Sequence, residues 1–144
     1  GQSIVQILTV VVFAPVIEEV GKILAALWVV EKHPFIFRSS TQIVFCCVVS
    51  GLSFAVIENF MYLYVYVPNP SPALVEWRWT VCVALHAGCA SIASFGVVRM
   101  WRDVWRRRQP ARVDISLPLV AIAIVIHGGY NLFAILYEQA FHPF

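Results

Sequence analysis

Four long apolar stretches dominate this sequence of 144 residues. They cover residues 4–30, 41–67, 77–98 and 115–137, and prolines interrupt the chain between them. About 20 apolar residues in an α-helix cross the hydrocarbon core of a bilayer, where a helix satisfies its own backbone hydrogen bonds. The sequence therefore predicts an all-α fold: a polytopic membrane protein whose single domain, residues 1–144, is a bundle of four transmembrane helices.

The charged residues are few and unevenly placed. Only 12% of the residues are charged, against about 25% in a soluble domain. Six arginines lie at and beyond the end of the third stretch, where a basic segment faces anionic lipid headgroups. We therefore expect the lipid bilayer as a partner and no nucleic acid. The six are Arg99, Arg102, Arg106, Arg107, Arg108 and Arg112.

The same asymmetry predicts the orientation of the chain. The connections 31–38 and 99–114 lie on one side of the membrane and carry most of the basic residues, whereas the connection 68–78 has Arg78 as its only one. Lysine and arginine concentrate in the cytoplasmic connections of multi-pass proteins. The sequence thus predicts a multi-pass protein of the cell membrane with both ends of this chain on the extracytoplasmic side.

Ionisable residues inside the apolar stretches are the next feature. Each acid or lysine at the centre of a bilayer costs roughly 2.5–3.5 kcal/mol on the insertion scale, so these residues need partners or a use. Counted from the helix ends at about 1.5 Å per residue, they share one layer within roughly 9 Å. We therefore expect a single polar cluster to which all four helices contribute. Its expected members are Glu18, Glu19 and Lys22 in the first stretch, Glu58 in the second, His86 in the third and His127 in the fourth.

Residue spacing adds detail to this cluster. Glu18 and Lys22 are four residues apart and so share a helix face. His127 and Asn131 have the same spacing, and both pairs can point into one cavity. Each residue alone also has a structural interpretation, such as a self-neutralising ion pair, a protonated acid, a packing histidine or an interhelical hydrogen bond. Their common depth favours a shared functional site.

Four short motifs occur in order, one in each stretch. Residues 18–22 read E-E-x-x-K, residues 54–59 read F-x-x-x-E-N, His86 lies among small residues, and residues 127–131 read H-x-x-x-N. This order resembles the PrsW family of intramembrane proteases, which is related to the CAAX prenyl endopeptidases. The resemblance covers about positions 14–135, nearly the whole chain.

The resemblance implies an enzyme, a membrane peptidase that cleaves a membrane-anchored protein. Members of the family are associated with site-1 cleavage of anti-sigma factors. The prenyl endopeptidases carry histidine where this chain has Glu58, so the resemblance points away from a prenylated substrate. We expect a single-span membrane protein as the substrate, while its identity, the cleavage site and the oligomeric state stay open.

Two mechanisms of hydrolysis are open, and the first uses a metal. Two histidines and one carboxylate with an open position form a known catalytic zinc site, so a divalent metal, zinc above others, is the expected cofactor. Glu18 or Glu19 then acts as the general base, and Lys22 keeps one carboxylate ionised. The expected metal ligands are Glu58, His86 and His127, with Glu19 as a further candidate.

The second mechanism is free of metal. The carboxylate of Glu18 or Glu19 activates the water directly, together with a second ionisable group, either Glu58 or His86. Two residues of the fourth stretch would then stabilise the oxyanion by hydrogen bonding. These two donors are His127 and Asn131.

Two functions of other classes fit the same buried cluster. Ionisable residues inside membrane helices also mark ion or proton pathways, so a small ion- or proton-coupled transporter is one alternative. A non-catalytic membrane scaffold that binds a partner helix is the other. The four ordered motifs favour the intramembrane protease.

Overall fold

The computed structural model describes residues 3–141, with side chains from residue 3 to residue 137. Within this range the chain forms four long helices and no strand. All four are long and apolar enough to cross a membrane, which confirms the predicted all-α, four-helix membrane fold. We number them α1, Ile4–Lys32; α2, Ser40–Tyr66; α3, Pro72–Arg107; and α4, Leu117–Phe141.

Helix α3 is longer than the sequence predicts. In place of the expected span 77–98 it has 36 residues, about 54 Å at about 1.5 Å per residue, against about 30 Å for the core of a bilayer. It begins at Pro72, because proline is favoured in the first turn of a helix. It continues to Arg107, which pairs with Asp103 one turn earlier at 2.6 Å. The segment 99–107, expected in a connection, is therefore helical.

Helix α3 is also the centre of the bundle. It packs against the other three helices, most extensively against α2, while α1 contacts both α2 and α4. Small residues permit the closest approach: a Cβ atom added to Gly51 of α2 would lie 2.6 Å from the Cβ atom of Ala90 in α3. Only glycine fits at that crossing, as expected where small residues let membrane helices meet.

The apolar core fills the half of the bundle that carries the arginines. On α1 and α3 the core residues follow the ionisable residues along the chain, and on α2 and α4 they precede them. Because consecutive helices run in opposite directions, these positions all lie on one side of the ionisable layer. The core consists of Ile23, Ala26, Val30, Phe37, Ile43, Cys47, Cys89, Ala93, Val97, Val98, Met100, Val120 and Ala123.

Pro15 determines how α1 and α4 dock. A proline has no N–H group, so a carbonyl one turn earlier loses its helical partner, and a π turn precedes Pro15 here. The side chain of Asn131 in α4 compensates by donating a hydrogen bond to the carbonyl of Val10 at 2.9 Å. Gly128 of α4 lies directly against the neighbouring carbonyl of Val11, where a Cβ atom has no room.

Irregular helical turns are concentrated in the half opposite the arginines. The described residues contain π turns at Thr9–Phe13 in α1, Tyr62–Tyr66 in α2 and Arg78–Cys82 in α3. π turns are rare in proteins, and those that occur are often found at functional sites. Here they flank the layer of ionisable residues, so the regular half of the bundle and the polar half differ in backbone as well as in composition.

The outer surface of the helices is apolar. Ile17 of α1, Phe45 of α2 and Val125 of α4 are 71%, 67% and 71% exposed. Exposed apolar area costs about 25 cal/mol per Å² in water, a cost that lipid chains remove. The bundle thus presents an apolar surface to the surrounding lipid, while the ionisable side chains within the spans face inward.

Gly128→Ala tests the docking of α4 on α1. The added Cβ atom meets the backbone carbonyl of Val11, and overpacking of this kind costs about 1–3 kcal/mol. We expect a lower Tm in detergent. Gly129→Ala is the matched control, because a Cβ atom at Gly129 has nothing within 4 Å and alanine favours a helix. Equal Tm values for the two variants would contradict this packing.

Candidate active site

The ionisable side chains of all four helices meet in one hydrogen-bonded cluster. Glu58 of α2 bonds to His86 of α3 at 2.6 Å, and the other ring nitrogen of His86 lies 2.7 Å from Lys22 of α1. Lys22 bonds to Glu19 at 2.6 Å, and Glu19 bonds to His127 of α4 at 2.7 Å. The structure thus brings together the groups that the sequence places at one depth.

Lys22 lies at the centre of this cluster. The spacing of four residues makes Glu18 its expected partner, but the structure pairs it with Glu19, and both of these side chains are fully buried. The ammonium group also lies 5.2 Å from the centre of the Phe54 ring, the phenylalanine of the F-x-x-x-E-N motif. A buried ammonium needs this much compensation, because taking a charge out of water costs several kcal/mol.

The ammonium of Lys22 assigns the tautomer of His86. An ammonium group only donates hydrogen bonds, so Nδ1 of His86 accepts from Nζ of Lys22. The ring proton is then on Nε2, which donates to Oε2 of Glu58. Both nitrogens of this buried ring are therefore engaged.

His127 is held in the opposite tautomer. In the neutral ring its Nδ1 donates to Oε1 of Glu19 at 2.7 Å, and Nε2 is then an acceptor 3.6 Å from Oε2 of Glu18. That oxygen of Glu18 is buried and has no hydrogen-bond partner, and the same is true of Oε2 of Glu19. The two atoms face each other at 3.6 Å without a hydrogen bond between them, and they mark a position suited to a cation or to a donor group.

Three residues around this position have the donor atoms that a divalent metal needs. Glu18, His86 and His127 each offer one ligand atom, and these atoms lie within 4.8 Å of one another. A carboxylate on the second nitrogen of a metal-binding histidine is the usual way to orient such a ligand, and Glu19 has that relation to His127. Glu58, by contrast, accepts a hydrogen bond from Nε2 of His86.

Arg78 also belongs to the site, although the sequence does not predict it there. Its Nη2 lies 3.3 Å from Oε1 of Glu58, and its guanidinium is centred 4.4 Å from the ring of Tyr62. Asn59 holds it from a third direction: Nε of Arg78 donates to Oδ1 of Asn59, and Nδ2 of Asn59 donates to the carbonyl of Arg78. The signal in the sequence is a lone arginine opposite the basic side, together with the asparagine that follows Glu58.

Asn131 lies outside the hydrogen-bonded cluster. Its amide donates to Val10 in α1, although it shares a face of α4 with His127. The adjacent Tyr130 joins α4 to α3 by accepting a hydrogen bond from Nε1 of Trp77 at 2.7 Å. These residues position α4, and with it His127, against its neighbours.

The cluster is open at one edge. The side chain of Glu58 is 33% exposed and that of Glu18 is 17% exposed, whereas those of Glu19 and Lys22 are fully buried. The carboxylates of Glu58 and Glu18 are therefore the accessible acids of the cluster. Glu19 and Lys22 are placed to orient the groups around them.

Comparison with known proteins identifies the family of the chain. A family model described as PrsW family intramembrane metalloprotease matches residues 1–143, which confirms the resemblance found in the four motifs. No curated protein matches the chain. No solved structure matches it either.

Lys22→Met tests the buried ion pair. The substitution leaves the carboxylate of Glu19 buried without its cation, and breaking such a pair costs about 3–5 kcal/mol. We expect a large fall in Tm or loss of the folded protein. Lys32→Met is the control, because Lys32 pairs with Glu31 on the surface, with its side chain 55% exposed, and an exposed pair contributes about 0–1 kcal/mol. Similar Tm values for both variants would mean that Lys22 does not compensate Glu19.

Proposed function

Since the chain belongs to the PrsW family of intramembrane metalloproteases, we propose that it hydrolyses a peptide bond of a single-span membrane protein. The observation that carries the proposal is the bare Nε2 of His127 facing the unpartnered, buried Oε2 of Glu18. Water bound between such groups, shielded from lipid, can be activated for attack on a carbonyl carbon. By the resemblance of its motifs, an anti-sigma factor is the substrate class we favour.

The proposed metal ligands are Glu18, His86 and His127. Their nitrogen and oxygen atoms suit zinc, which when bound supplies Lewis-acid polarisation of a carbonyl or a water. The geometry favours Glu18 over Glu58, the carboxylate expected from the sequence, because Glu58 forms an ion pair with Arg78 and a hydrogen bond with His86. His86 would give up one of its two hydrogen bonds to serve as a ligand.

We assign the general base to Glu58. It is the most exposed of the acids in the cluster, and it would give up its ion pair with Arg78 or its hydrogen bond with His86 to receive the proton. It would take a proton from the attacking water and return it to the leaving amine. Glu19, expected from the sequence as a base or a ligand, is better placed to orient His127 through Nδ1.

The metal-free alternative uses the same residues. The carboxylate of Glu18 activates the water, with Glu58 or His86 as the second group. The proton taken from the water would pass from Glu18 to the facing Nε2 of His127, which then donates to the oxyanion. Asn131, the other expected donor, has its amide engaged by Val10. This favours a positioning role for Asn131 in either mechanism.

The distribution of apolar residues favours hydrolysis over transport. An ion or proton pathway needs polar groups or water along the bundle. Between the cluster and the arginine-rich end, however, the described interior is mainly the apolar core, from Ile23 on α1 to Met100 on α3. The hydroxyls of the buried Ser94 and Ser116 there donate to carbonyls of their own helical turns. A cluster that is closed on one side and open at its edge fits a catalytic pocket.

We also propose that the ionisable cluster lies in the extracytoplasmic half of the membrane. The arginines mark the cytoplasmic end of α3 by the positive-inside rule, and the cluster lies on the other side of the apolar core. Cleavage would then occur near the outer surface of the cell membrane. This position agrees with a first cut in a membrane-anchored regulator.

Glu18→Gln and Glu58→Gln separate the roles of the two acids. We expect wild-type protein, purified in detergent, to contain one metal per chain and to cleave a single-span test substrate in a chelator-sensitive way. Glu18→Gln should lose both the metal and the cleavage. Glu58→Gln should keep the metal and cleave about 10²–10⁴-fold more slowly, the usual contribution of a general base.

His33→Ala is the control for this experiment. His33 ends α1 at the arginine-rich side of the bundle, where its ring contacts Trp28 and Phe35, so its loss should change neither metal content nor cleavage. Loss of metal in Glu58→Gln would mean that Glu58 is a metal ligand, as the sequence predicts. Wild-type cleavage without metal, unaffected by chelator, would select the metal-free mechanism, and no cleavage by any folded preparation would contradict the proposed function.

A further inference from the structure

The arginine-rich end of α3 carries a second feature, remote from the ionisable cluster. Arg99, Arg102 and Arg106 are spaced by three and four residues, so they share one exposed face of the helix. Two shallow cavities, of about 510 and 330 Å³, open on this face, and Arg99 and Arg102 line both of them. Arg106 and Asp103, which are 3.7 Å apart, also line the larger one.

The positive charges of this face are only partly balanced. Arg102 bonds to the hydroxyl of Ser40 at 3.1 and 3.3 Å, which is a neutral partner. The guanidinium of Arg99 has no hydrogen-bond or ion-pair partner among the described residues. Asp103, the acid at the larger cavity, is engaged by Arg107 at 2.6 Å. Two guanidinium groups therefore line the cavities without a counter-ion of their own.

The smaller cavity is amphipathic. Beside Ser40 and the two arginines it is lined by Phe95 and Val98 of α3 and by Leu119 of α4. Phe95 lies one turn nearer the middle of α3 than Arg99, and its side chain is 54% exposed. The cavity thus has a cationic rim at the end of the bundle and an apolar wall that continues toward the middle of the bilayer.

We propose that this groove, formed by Ser40, Phe95, Arg99, Arg102 and Leu119, binds one anionic phospholipid. Planar guanidinium groups form paired hydrogen bonds with phosphate oxygens, and Ser40 holds one of the two in place. An acyl chain then lies along the apolar wall. Basic pockets between transmembrane helices are typical headgroup sites.

The apolar wall favours a lipid over free phosphate. Inorganic phosphate offers the same oxygens to the two guanidinium groups but nothing that would cover Phe95 and Leu119. The groove is built from the ends of α2, α3 and α4, so a bound lipid joins three helices at the end opposite the ionisable cluster. This site does not depend on the proposed hydrolytic function.

Native mass spectrometry of the full chain, released from mixed micelles at about 0.15 M salt, tests the site. Dioleoyl phosphatidylglycerol and dioleoyl phosphatidylcholine are the two lipids, and sodium phosphate forms a third arm. We expect one phosphatidylglycerol retained per chain and no retention of phosphatidylcholine. In Arg99→Gln/Arg102→Gln this binding should weaken about tenfold or more, since each arginine contributes to the attraction of an anionic lipid.

Arg108→Gln/Arg112→Gln is the matched control, because it removes the same charge from the same end of the bundle outside both cavities. It should retain the lipid within about twofold. Equal weakening in both double variants would replace the site with diffuse surface attraction. Equal retention of phosphatidylcholine, or displacement of phosphatidylglycerol by millimolar phosphate, would also overturn the proposal. Arg99→Gln alone serves if far-ultraviolet circular dichroism shows that the double variant is unfolded.

Discussion

The buried ammonium of Lys22 is the interaction on which the polar half of this bundle depends. Inside a membrane an unpaired carboxylate or an unpaired ammonium is costly. Lys22 satisfies Glu19 on its own helix and His86 on α3 at the same time. Because an ammonium group can only donate, Nδ1 of His86 must accept from Lys22. Nε2 of His86 then carries the ring proton and donates it to Glu58. One side chain thereby joins α1 to α3 directly, and it reaches α2 through His86 and α4 through Glu19.

The direction of these hydrogen bonds produces the reactive position. Glu19 accepts from both Lys22 and Nδ1 of His127, so the second nitrogen of His127 faces Glu18 as an acceptor. The groups that create this arrangement are fully buried, and the groups offered to a substrate are at the edge. The close-packed apolar half of the bundle, at the arginine-rich end, provides the rigid support that a preorganised site needs. Stability and chemistry are thus divided between the two halves of one bundle.

The sequence predicts the four spans and the meeting of their ionisable residues, because length, hydropathy and depth along a helix can be counted. It does not predict which carboxylate pairs with which lysine, arginine or histidine side chain. Each residue advances about 100° around a helix, so the small rotation that points Glu19 rather than Glu18 at Lys22 depends on packing. Arg78 could not be linked to Glu58 for a similar reason, since their contact depends on how α2 and the start of α3 lie together.

The histidine tautomers test the account most directly. Imidazole ¹⁵N chemical shifts of the metal-free protein in detergent distinguish a protonated Nδ1 from a protonated Nε2. The account predicts that His86 carries its proton on Nε2, with Nδ1 accepting from Lys22, and that His127 carries its proton on Nδ1, with Nε2 free. The same tautomer in both rings, or the reverse assignment, would contradict the chain of hydrogen bonds from which the site has been derived.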